Sequence, residues 1–86
     1  MRLIGKEKLT LLQQAGQDGK KWISNWSTEI SHANWKHESE LIHRYPSVIA
    51  IGRNVFLFKV GNSGLLVKAK ISFLQGIVLV ESLSES

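Results

Sequence analysis

The hydrophobic pattern changes period once along this chain, at Pro46. Before it, apolar residues recur three and four positions apart; after it, they alternate. In "KEKLTLLQQAG", Leu9, Leu12 and Gly16 share one helical face with Leu11 and Ala15 beside them, which predicts an amphipathic helix near residues 6–15. Gly16 and Gly19 bracket "GQDG", a stop and turn signal. In "KKWISNWSTEIS", Trp22, Ile23, Trp26 and Ile30 stand at i, i+1, i+4 and i+8, predicting a second helix with a heavy apolar stripe. Tryptophans at that spacing beside isoleucines read as core rather than as a base-stacking platform. Leu41, Ile42 and Tyr45 predict a short third helical turn near 37–44. Pro46 ends it, because a proline pushes the preceding residue out of the α region.

Beyond Pro46 the runs "SVIAIG", "NVFLFKV", "LLVKAKISF" and "IVLVES" are separated by short Gly/Asn turns, the signature of antiparallel hairpins. With "MRLI" as a short first strand closed by Gly5, the predicted order is β-α-α-(α)-β-β-β-β. Helices precede strands in blocks, so the fold class is α+β: two N-terminal helices, plus a short third turn, packed on one face of an antiparallel β-sheet. Alternation sorts the sheet's faces. Phe56, Phe58 and Val60 share a side, as do Leu65, Val67, Ala69, Ile71 and Phe73, and these belong under the helices. Lys59, Lys68 and Lys70 then fall on the open face, with Leu57 and Leu66 beside them. They either keep that face soluble or form a phosphate-binding stripe on a surface that a partner covers.

Composition narrows the function classes. Eighty-six residues make a single domain, 1–86, with a modest core. The formal charge of +4 comes from Lys and Arg spread along the chain and suits an anionic partner such as nucleic acid or an acidic protein. There is no cysteine, hence no disulfide framework and no thiolate metal site. No apolar run approaches a membrane span, and the N-terminus lacks the pattern of a signal peptide, so the expectation is a cytoplasmic protein with no membrane partner.

All three histidines, His32, His37 and His43, lie in "HANWKHESELIHRYPS", and "HESEL" starts like the zinc-protease pattern H-E-x-x-H. The position four residues after His37 is Leu41. His43, six residues on, lies about 240° around a helix, so the two rings do not converge on one ion. No metal and no cofactor are expected. The chain offers no G-x-S-x-G or cysteine nucleophile for a histidine base to activate. Structural or surface roles are favoured for all three, with His43, beside Leu41 and Ile42, half-buried against the sheet.

The same stretch carries a family resemblance. Trp26, Ile30, Ala33 and Trp35 fit a pattern W-x-x-x-(V/I)-x-x-A-x-(W/F). Glu40, Leu41, Tyr45, Pro46 and Ser47 fit D/E-L-x-x-x-(F/Y)-P-S, and Val55, Phe56, Val60, Gly61 and Asn62 fit a strand like V-F-N-(I/V)-G-G-N. Over roughly residues 1–80 the chain resembles the HigB family of type II toxins, in the RelE/ParE superfamily. The resemblance implies a RelE-like fold and a toxin that cleaves mRNA, in some cases only on the ribosome, neutralised by a helix-turn-helix antitoxin. It implies a ribose 2′-OH attacking the adjacent phosphate, with groups to move two protons and cations to hold the phosphorane charge. The family's arginine after the G-N turn, in a pattern like K-x-R-L, is absent from "GNSGLLVKAK", and its C-terminal T-H-x-x-Y segment, expected to begin near Ser84, has no counterpart. The candidate residues are therefore Lys68 and Lys70 as phosphate ligands in catalysis, Glu81 for proton transfer, and Arg53 and Lys59 with the two lysines for RNA binding. The alternative is a non-catalytic RelE-fold member that acts by binding a protein or nucleic-acid target, or an inactive relative.

Overall fold

The computed structural model describes residues 1–9, 16–61 and 63–85. The elements run β1 (Arg2–Ile4), α1 (Gly16–His32), α2 (Glu38–Arg44), β2 (Ile49–Gly52), β3 (Val55–Lys59), β4 (Leu65–Ser72) and β5 (Ile77–Glu85). The strands form one five-stranded sheet in the order β1-β5-β4-β3-β2. The fold is α+β, as the change of period predicts.

The helical part differs from expectation at its start. Residues 6–9 form a turn of 3-10 helix in which the Lys8 N–H donates to the Gly5 carbonyl at 3.0 Å; the remainder of the helix expected over 6–15 lies outside the described residues. "GQDG" is not a stop. It is the first turn of α1, and Gly19 is buried inside that helix. A helical glycine costs about 1 kcal/mol relative to alanine, and the apolar stripe that follows outweighs it: Trp26 and Ile30 are fully buried, and Trp22 and Ile23 pack against the same cluster. α2 forms where the pattern predicts it. Glu40 reaches back to accept from the Lys36 N–H at 3.1 Å, one residue ahead of the N-cap His37, and Tyr45 closes the helix by donating its N–H to the Leu41 carbonyl at 2.8 Å just before Pro46.

The core joins the helices to one face of the sheet. Leu41, Phe56, Phe58, Val60, Val67, Ala69, Ile71, Val78 and Val80 are all at most 1% exposed. Aromatic edges fix the contact: Trp26 meets Phe58 at 5.3 Å between centroids and Tyr45 meets Phe58 at 5.5 Å, both in T-shaped geometry. The tryptophans are thus structural, with Trp22 stacked on Trp26 at 6.0 Å and Trp35 edge-on to Tyr45.

Three pairings depart from a plain antiparallel meander; the β2–β3 register shifts between Ala50 and Gly52, and the other two involve β5. β1 runs parallel to β5 (Arg2↔Ile77, Leu3↔Val78, Ile4↔Leu79), so the sheet is mixed. A three-residue strand followed by a long helical excursion returns in the same direction as the last strand, and alternation within "MRLI" carries no information on that direction. β5 also bulges opposite β4: Ala69 pairs with Val80 but Lys68 with Ser82, leaving Glu81 as the extra residue. The bulge resets the alternation, so the residues turned to the core are Val78, Val80 and then Leu83.

Candidate functional site

The helices and their connections fill one side of the sheet, and among the described residues no element packs on the other. The cross-strand register assembles that open face in rows. Val55, Lys70, Leu79 and Ile4 form one row across β3, β4, β5 and β1. Ile49, Leu57, Lys68 and Ser82 form the next, across β2, β3, β4 and β5. Lys59, Leu66 and Ser84 follow. Lys68 and Lys70 therefore stand two residues apart on the central strand, separated by about 6.7 Å along it. Lys59 lies at one end of the face, and Arg53 sits in the turn between β2 and β3, beyond the Val55–Lys70 pair at the other end. Lys59, Lys70 and Arg53 are exposed and Lys68 is half-buried. Three lysines run along one face, as alternation predicts, with Arg53 in the turn beyond one end of it.

Glu81 is exposed at the β5 bulge, next to Ser82, the residue paired with Lys68. Its alternation with Ile77 and Leu79, expected from the spacing in "IVLVES", is interrupted there, because the bulge lies between Val80 and Ser82. Among the described residues the carboxylate of Glu81 makes no ion pair.

The histidines lie away from this face. His37 is the N-cap residue of α2 and makes no side-chain capping bond. The Nδ1 of His32 donates to the Thr28 carbonyl at 2.8 Å within α1, which leaves Nε2 as the free nitrogen. His43 is exposed, contrary to the half-burial expected of it; Leu41 takes the buried side of α2 instead. No group of three metal-ligating side chains forms among the described residues.

Sequence reasoning missed a polar cluster on the helical side. The Tyr45 hydroxyl donates to Glu29 Oε2 at 2.8 Å, Arg44 pairs with Glu29, and the Arg44 guanidinium lies 5.0 Å from the centre of the Tyr45 ring. Burial, followed by the bond to the Glu29 carboxylate, pushes the Tyr45 phenol well above its ordinary range. Two of the three residues stand side by side in "RYPS", but nothing in the spacing of Glu29 and Tyr45, sixteen residues apart, announces their contact. The cluster pins α2 to α1.

The family model described as HigB_toxin, the RelE-like toxic component of a toxin-antitoxin system, matches residues 19–84. The chain belongs to the HigB toxin family. The match runs from within α1 to Ser84 in β5 and so covers both helices and four of the five strands, β1 lying before it. No curated protein matches the chain. A HigB-family toxin is one half of a toxin–antitoxin pair, so the protein has an antitoxin partner. No helix among the described residues is long and apolar enough to cross a membrane.

Proposed function

We propose that this HigB-family toxin is an endoribonuclease that cuts mRNA on the open face of the sheet, in the cytoplasm, and that its antitoxin is a helix-turn-helix protein. The observation that carries the reading is the pair Lys68 and Lys70 on the central strand, with Lys59 on the same face and Arg53 in the adjacent β2–β3 turn. In this reaction the ribose 2′-oxygen bonds to phosphorus as the P–O5′ bond breaks. The 2′-OH proton leaves to a base and a proton returns to the departing 5′-oxygen. Lys68 and Lys70 hold the charge that builds on the phosphorane oxygens, and Glu81 accepts the 2′-OH proton. Lysine acts here as a point charge without the bidentate fork of arginine, so placement depends on two ammonium groups acting together. Charge without base contacts supplies affinity but no sequence choice. Selection of the cut site then falls to whatever presents the strand, which favours mRNA held on the ribosome.

The second reading, toxicity by binding without cleavage, is favoured by one arrangement: Tyr45 and the three histidines all lie off the open face, leaving Glu81 as its one proton-transfer candidate among the described residues. Inducible expression separates the two. Growth arrest with loss of mRNA, reversed by Lys68→Ala with Lys70→Ala in a folded protein, is the expected result, each lost cation costing on the order of 100-fold in rate. Growth arrest with intact mRNA refutes cleavage and leaves binding.

A further inference from the structure

A cavity of about 540 Å³ opens at the edge of the sheet, between β1, the turn over residues 6–9 and α1. That is within the size range of small-molecule sites. In the sheet, β5 stands between β1 and the lysines of β4, and neither Lys68 nor Lys70 lines the cavity. Its helical wall is a stripe of hydroxyls. Ser27, Thr28 and Ser31 stand at i, i+1 and i+4, with His32 at i+5, so they share one side of α1. Thr28 donates to the Ser24 carbonyl at 3.0 Å and Ser31 to the Ser27 carbonyl at 2.8 Å, so both hydroxyl protons are committed to the helix itself. His32 is held by its Nδ1 bond to the Thr28 carbonyl, which leaves Nε2 for a ligand. Ser27 is the exception. It is buried, and its Oγ has no partner among the described residues. A buried hydroxyl left unbonded is costly, and on a cavity wall it marks a place where a bound atom completes the bonding.

The opposite wall is cationic. Arg2 of β1 and Lys6 of the adjoining turn line it, both exposed, and no carboxylate is among the lining residues. Glu29, the carboxylate within the same stretch of α1, is engaged by Arg44 and Tyr45. The last turn of α1 brings the negative end of a helix dipole, which by itself disfavours an anion. That end is already met, because the Met1 amine donates to the Ala33 and Ser31 carbonyls. Arg2 and Lys6 thus remain for an anion from outside. We propose that this cavity binds a small phosphate monoester. The Arg2 guanidinium and the Lys6 ammonium neutralise the phosphoryl group, the Ser27 hydroxyl donates to one of its oxygens, and the organic part lies along Met1 and Leu3, the apolar residues of the lining. A planar carboxylate offers two oxygens and a single charge. A phosphoryl group offers three oxygens and a charge of about −2, which matches two cations and a hydroxyl donor. Joining β1 to α1 through the ligand ties the edge strand to the helix that covers it, so occupancy stabilises the folded chain. The site is independent of RNA cleavage, since none of its residues lies on β3 or β4.

Isothermal titration calorimetry of the wild-type protein tests it, with glycerol 3-phosphate, adenosine 5′-monophosphate, adenosine and inorganic phosphate as probes. The expected result is that at least one monoester binds, adenosine does not, and inorganic phosphate binds about tenfold more weakly for want of contact with Met1 and Leu3. Ser27→Ala weakens the monoester about tenfold, and Arg2→Ala with Lys6→Ala on the order of 100-fold. Thermal unfolding of these variants without ligand stays close to wild type, since Arg2 and Lys6 are exposed and Ser27 has no bond to lose. Lys68→Ala with Lys70→Ala stays within about threefold in affinity. Adenosine that binds as well as its monophosphate overturns the inference, as does an affinity untouched by Ser27→Ala and by the Arg2 and Lys6 pair. Loss of binding in the Lys68 and Lys70 pair puts the phosphate on the open face and overturns it too. Inorganic phosphate that binds as tightly as the monoesters reduces the site to one for a bare anion and refutes the ester. Failure of both monoesters to bind refutes the proposal outright.

Discussion

Gly5 offers a measurement of how tightly β1 is held against β5. It is buried, has φ of +87°, and a Cβ placed there would lie 2.7 Å from the Val80 carbonyl oxygen and 3.4 Å from the Val80 N and Cβ. Gly5→Ala therefore meets two independent costs. Holding an L-residue in left-handed space costs about 1–2 kcal/mol, and forcing a methyl against strand backbone that cannot swing aside costs about a further 1–3 kcal/mol. The total, about 2–5 kcal/mol, is a large part of the roughly 4–13 kcal/mol expected for a domain of this size. Gly64→Ala separates the two costs. Gly64 has φ of +80°, and a methyl added there would meet nothing within 4 Å among the described residues, so it bears the conformational cost alone. Urea unfolding followed by tryptophan fluorescence, with Trp26 buried in the core, should place Gly5→Ala about 1–3 kcal/mol below Gly64→Ala. Equal losses in the two variants, within about 0.5 kcal/mol, would refute the close approach of Gly5 to β5.

Two further outcomes follow from the helical side. Tyr45 is the one tyrosine in the chain, so its phenolate absorption is read without overlap from another. Because folding raises its pKa, the bond to Glu29 contributes stability that is present below the ordinary value of about 10 and is lost as pH rises through the folded value. The phenolate band should therefore lag behind that of free tyrosine on alkaline titration and move partway back in Glu29→Gln, since burial, the larger cause, remains. An unshifted titration in the wild-type protein would contradict the burial and bonding of this ring. Ser27 is 5% exposed and its hydroxyl has no hydrogen-bond partner among the described residues. Ser27→Ala should leave stability unchanged or raise it by about 1 kcal/mol, and a clear loss in thermal unfolding would show that the hydroxyl is satisfied.

What could be read from the chain followed from side-chain periodicity. Alternation in "VFLFKV" and "LLVKAKISF" assigns Phe56, Phe58, Val67 and Ile71 to the core and Lys59, Lys68 and Lys70 to the open face, because a strand buried on one side must alternate. Three features escaped for physical reasons. Gly16 and Gly19 carry the propensity of a helix stop, yet burial of Trp26 and Ile30 holds the helix through them. The parallel direction of β1 depends on the path of the chain between β1 and β5 rather than on Arg2, Leu3 and Ile4. The Glu81 bulge adds one residue to β5, and no local pattern in "IVLVES" distinguishes it from regular alternation. Of the candidate site, the line of cations was legible, as was the partly apolar character of the surface. The Glu29–Arg44–Tyr45 cluster was not, since contact between α1 and α2 is a property of their packing.

The pairing of β1 with β5 also sets an order of events in synthesis. Arg2 and Ile77 are neighbours in the sheet but about 75 residues apart in the chain, and so distant a loop closes late and slowly. The rows that unite Lys70 with Leu79 and Ile4 do not exist until β5 has left the ribosome and inserted between β1 and β4. The surface proposed to cut RNA is thus incomplete until β5 has inserted, whatever the state of the β3–β4 hairpin that carries its lysines.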